Sequence, residues 1–111
     1  MDRLAKSELL EITRREVGKY AGVSRKAKAY AVFDEKQHIY AVTSIRHAPG
    51  ADHAWIIVQA RVVGDVVVID EDNVFDKKLV HALTQAGVPR KQIVLQYAGE
   101  PVPAMNEEPT S

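Results

Sequence analysis

The sequence predicts a two-layer α+β domain: helix, four strands, helix, strand, with a mainly antiparallel sheet and both helices on one face. Three observations predict it. An amphipathic stretch leads the chain. Two hairpin patterns follow it. A second amphipathic stretch then stops at Gly87-Val88-Pro89, before a last apolar run. A helix between a hairpin and a further strand supplies a crossover of about the length that a βαβ unit needs. Each helix offers one apolar stripe and the sheet one wholly apolar face, so the economical packing sets both helices on that face.

The first helix is expected over residues 4 to 21. At about 100° per residue, Leu9, Leu10, Ile12, Val17, Tyr20 and Ala21 share one half of the wheel. Asp2 or Ser7 is placed to cap its start and Gly22 to end it. Glu16 falls within the apolar half, and its expected place is the edge of the stripe with its head in water.

Two alternating runs follow, Ala27 to Phe33 and Ile39 to Ile45, around a polar connection at residues 34 to 38. Pro49 and Gly50 mark a loop at residues 46 to 53. "AWIIVQARVVGDVVVID" is the strongest hairpin signal, because Gly64-Asp65 separates two runs rich in valine and isoleucine. Glycine in the first central position suits a two-residue turn with a positive first φ. That turn sets Val63 against Val66, Arg61 against Val68 and Gln59 against Asp70. Ile56, Val58, Ala60, Val62, Val67 and Ile69 then make the apolar face. A second helix is expected near residues 77 to 86, capped by Asp76, with Leu79, Val80, Leu83 and Ala86 buried. Gly87 ends it in a left-handed conformation, Pro89 prevents its continuation, and a strand from Ile93 to Tyr97 closes the sheet. The domain is expected to span residues 1 to 103, with a flexible tail at 104 to 111, where prolines and polar residues dominate.

Composition narrows the function. The 111 residues carry 15 basic and 15 acidic side chains and no cysteine. Zero net charge argues against sequence-independent DNA binding, and the missing thiols exclude disulfides, cysteine-ligated zinc and thiol catalysis. The opening residues carry charges throughout and no run is long enough for a bilayer, so a cytoplasmic protein with no membrane contact is expected.

Three chemical readings remain. The His47, Asp52 and His53 loop could bind a metal or ligand, but its spacing matches no strong zinc pattern. The basic segment from Arg14 to Lys28 could meet DNA directly. The third reading is an association face. Trp55, Ile57, Gln59, Arg61, Val68 and Asp70 are expected on the less apolar side of the sheet, with no helix left to cover them. Arg61 and Asp70 make a cross-strand ion pair there. No residues are assigned to catalysis or to a metal, and no cofactor is expected.

Several pieces together resemble the XisI family. They are a leading helix, "VFDEKQHIYAV" at residues 32 to 42, "VVGDVVVIDED" at 62 to 72, and above all "LVHALTQAGVPRKQIVLQYAGE" at 79 to 100. The segments "SIRHAPGADHAW" and "VPAMNEEPTS" depart from the family's pattern and mark a divergent member. The resemblance implies a compact α+β domain with no known catalytic residues. It also implies a nuclease-like partner, XisH, and a role in controlling excision of a DNA element by a separate recombinase, or as the neutralising half of a toxin-like pair. A homo-oligomer is expected from the uncovered sheet face.

Overall fold

The computed structural model describes residues 3–23, 27–46 and 54–103. Its elements in chain order are α1 (Lys6–Gly18), β1 (Gly22–Val23), β2 (Ala27–Asp34), β3 (Ile39–Arg46), β4 (Ala54–Val63), β5 (Val66–Asp72), α2 (Leu79–Gln85) and β6 (Ile93–Leu95). Short 3₁₀ turns at Arg90–Gln92 and Gln96–Ala98 flank β6. One sheet has the order β1-β2-β3-β4-β5-β6. Among the described residues only the β5–β6 pair is parallel, as the crossover through α2 requires.

The α+β class, the order of the main elements and the layering match the sequence reading. Leu9 and Val17 of α1 and Leu79 and Leu83 of α2 join one buried cluster with Tyr40, Val42, Val58, Val62, Val67 and Ile69. Both helices therefore cover the same side of the sheet. Transfer of such side chains from water, at roughly 1.5–3 kcal/mol for a fully buried Leu or Val, is what holds the layers together.

Several local details differ. Strand β1 is an added two-residue edge. The helix α1 ends at Gly18, and Gly22 opens β1. Ser7 lies inside α1 and is not its cap. Ala5 stands at the N-cap position, where its amide donates to Glu8 Oε1 at 2.9 Å. Asp2 lies outside the described residues. The second helix is shorter than expected, and Asp76 does not cap it. Asp72 does so from the end of β5, accepting from the Leu79 amide at 2.8 Å. Its other oxygen is buried without a hydrogen-bond partner, and burial pushes its carboxyl above the usual range although the Leu79 amide pulls the other way. Strand β6 ends at Leu95 instead of Tyr97.

The Gly-Val-Pro stop is a Schellman motif. Gly87 sits at φ 107°, its amide donates to Thr84 O at 3.1 Å, and the Val88 amide donates to Leu83 O at 3.0 Å. Val88 turns into the core. The β4–β5 turn has φ 61° at Gly64 and no positive φ at Asp65, as a type II′ turn demands. The β2–β3 turn uses a non-glycine residue in this region, His38 at φ 59°.

The buried amide of Gln92 locks three distant segments. Its Nε2 donates to Leu4 O at 3.1 Å and Asp65 O at 2.8 Å, and its Oε1 accepts from the Leu4 amide at 2.8 Å. It thereby ties the start of α1 and the β4–β5 turn to the crossover.

Candidate association face

Two β-bulges decide which side chains reach the uncovered side. The pairing of β3 with β4 runs regularly to Val42–Val58 and then skips Ile57, so Thr43 meets Ile56 and Ser44 meets Trp55. A bulge sets one extra residue against the partner strand and reverses the alternation beyond it. Tyr40, Val42 and Ser44 alternate on the helix-covered side and are all buried. Trp55, opposite Ser44, therefore belongs to the helix side, and Ile57 packs against the core. Ile56 takes the outer position instead. The expected grouping of Trp55 and Ile57 with Gln59 is corrected accordingly.

The second bulge lies in β5. Ala60 faces Ile69 and Gln59 faces Glu71, which leaves Asp70 as the extra residue. The expected Gln59–Asp70 register is thus off by one. Asp70 still turns to the outer side. Arg61 grips it with Nε–Oδ2 at 2.7 Å and Nη2–Oδ1 at 2.9 Å, and Gln59 Nε2 lies 3.3 Å from Oδ2. Arg61 Nη2 also donates to Gln96 Oε1 at 3.0 Å. Such two-point pairing fixes geometry more firmly than a single contact. Val68 shares this side, between Arg61 and Val94, and is fully buried. At this end the face is closed by its own chain: Arg61, Asp70 and the turn after β6.

The open part lies over β2, β3 and the start of β4. Tyr30, Thr43 and Ile56 form one cross-strand row, with Val32 two residues along and Ile45 on the other flank. Val32 is 55% exposed, Tyr30 and Ile45 are each 42% and Ile56 is 36%. Lys28 holds its ammonium 4.9 Å from the Tyr30 ring centre. Of the six expected face residues, Gln59, Arg61, Val68 and Asp70 do come together. The apolar centre is a different set, and the unbroken run Trp55-Ile56-Ile57-Val58 was the one sign that strict alternation fails there.

Three bases of the basic segment are paired within the chain, against two carboxylates. Arg14 Nε pairs with Glu35 at 2.6 Å and lies over the Phe33 ring. Arg15 and Lys19 both bind Glu16, at 3.1 and 3.0 Å. Glu16 is buried and does not reach into water as expected. Burial opposes its charge, but the Lys19 and Arg15 hydrogen bonds outweigh it and hold its carboxyl below the ordinary range. A cavity of about 170 Å³ between α1 and α2 is lined by Glu16, Lys19, Tyr20, Lys77 and Ala82. Its tyrosine donates to Lys77 O at 2.7 Å and is pushed up to about 12 by burial and the charges of Asp72 and Glu16. Neither group is poised to exchange a proton near neutrality. His47, Asp52 and His53 lie outside the described residues, as do Arg25 and Lys26. Among the described residues no three acids or histidines cluster as a metal site, and no helix is long and apolar enough to cross a membrane.

Fold and face together define a small α+β domain with a helix-covered core and a partly open outer sheet. The chain belongs to the XisI family, whose family model, XisI protein, matches residues 1–107. A crystal structure of a XisI-like protein from Anabaena variabilis superposes with TM-score 0.73 at 15% identity, covering 82% of this chain and 85% of that one. The fdxN element excision controlling factor XisI from Anabaena variabilis gives 0.68 at 17%, covering 83% and 86%. No curated protein matches.

Proposed function

We propose that this chain is a non-enzymatic regulatory protein of the cytoplasm that works by association, and that it helps control excision of a DNA element together with a nuclease-like partner of the XisH type. The observation that carries the association is the open apolar band of Tyr30, Val32, Ile45 and Ile56, set beside a polar cluster on one side of the sheet. Apolar side chains gathered on one rigid face, rimmed by charge, are what a protein-binding surface offers. Excision control is supported by family membership and by the fold shared with an excision controlling factor. The alternative is the neutralising half of a toxin-like pair, which the same face would serve.

Co-expression with the XisH-type protein from a neighbouring reading frame, tagged on that partner, tests the proposal. The two chains are expected to elute together, and Val32→Lys in this chain is expected to release it. A stable, folded chain that never co-elutes with the partner would refute the association.

A further inference from the structure

We infer that the open outer face is the contact between two copies of this chain, related by a two-fold axis that lies in the interface and runs across the strands. This rests on the association reading and names the first occupant of its face. The outer side of β2 presents Lys28, Tyr30, Val32 and Asp34, all exposed. The order is cationic, apolar, apolar, anionic, and it is symmetric about residue 31. A two-fold axis across the strands at that point lays Lys28 against the partner's Asp34, and Tyr30 against the partner's Val32, twice over. An isologous contact must be self-complementary in this way.

The neighbouring strand agrees. Under the same axis Thr43 lies over the partner's Ala41, which is small and already buried in its own chain, so no bulky side chain in the middle of the contact keeps two sheets from approaching to about 10 Å. Along the rim, the Arg61–Asp70 pair is already satisfied within the chain and adds no unpaired charge. The open part, two strands and the start of a third, presents on the order of 300 Å² before its side chains are counted, against roughly 800 Å² per partner in a standard interface. The dimer is therefore reversible and forms with rising concentration.

Analytical ultracentrifugation of the full chain, from low micromolar to several hundred micromolar, tests this. Wild type is expected to shift from monomer to dimer. Lys28→Asp alone should weaken the dimer by about tenfold, as should Asp34→Lys, because each change breaks both symmetric pairs. The double exchange should restore it, an outcome that a merely structural role of either residue does not give. Asp34 also accepts the Lys36 and Gln37 amides at 3.0 Å, so Val32→Lys serves as a second probe that leaves the turn intact. That variant is expected to stay folded by circular dichroism and to be monomeric. A wild type that is monomeric at every concentration overturns the self-contact, as does a folded Val32→Lys dimer. If wild type is monomeric but Val32→Lys still loses the XisH-type partner, the self-contact falls and the association reading stands. If Val32→Lys alters neither size nor partner, both fall.

Discussion

Replacing Gln92 by alanine removes the amide that joins the start of α1, the β4–β5 turn and the crossover. Three hydrogen bonds of 2.8 to 3.1 Å are lost, all made by a side chain with no solvent exposure. Each such bond contributes about 1 kcal/mol net, and buried partners left unmatched cost somewhat more. The expected loss is therefore about 3 kcal/mol. For a domain of this size that corresponds to roughly 12 °C in melting temperature. Urea denaturation followed by far-ultraviolet circular dichroism measures it directly. Gln96→Ala is the control, because it removes a single hydrogen bond at an exposed position. A Gln92→Ala protein within about 1 kcal/mol of wild type would refute the reasoning, since it would mean that water replaces the amide at little cost.

Two further predictions concern charge and backbone. Asp72→Asn keeps an oxygen for the Leu79 amide and removes a buried charge, whereas Asp72→Ala loses the cap and should cost about 1 kcal/mol. The Asp72 carboxyl is raised by burial, so the folded state holds its proton more tightly than the unfolded chain does. This group's contribution therefore favours folding as pH falls through the raised folded value. Any advantage of Asp72→Asn at neutral pH should shrink over that same window, as denaturation at several pH values would show; an advantage that grows in acid contradicts the assignment. At the β2–β3 turn, His38→Gly relieves a positive φ and is expected to gain up to about 1 kcal/mol, while His38→Val should lose stability. Thermal melts of the two variants should move in opposite directions.

Most of the frame was legible in the residues. Gly64-Asp65 specified its turn through the φ that glycine accepts, and Gly87-Val88-Pro89 specified both a helix end and the entry to β6. Those signals are local, so a few residues suffice to carry them. Face assignments on β4 were less secure, because they extrapolate a period of two across ten residues. Each bulge reverses that count. Trp55 moved to the helix side through one extra residue at Ile57, and Asp70 left its expected register through another. The capping carboxylate was also misplaced. Asp76 stands near the helix start in sequence, but Asp72 at the end of β5 is the one that turns back to the Leu79 amide.

By itself the sequence determined the class of fold, the order of its main elements and the meeting of Gln59, Arg61 and Asp70 on the outer side of the sheet. Tertiary structure alone decided what that side exposes. The physical reason is that a side chain's surroundings depend on strand register and on what folds back over it, and both are set by contacts between residues far apart in the chain. Glu16 became a buried, doubly paired carboxylate, Gln92 a three-way clasp and Val68 a sealed residue for that reason, while Val32 and Ile56 were left open to water.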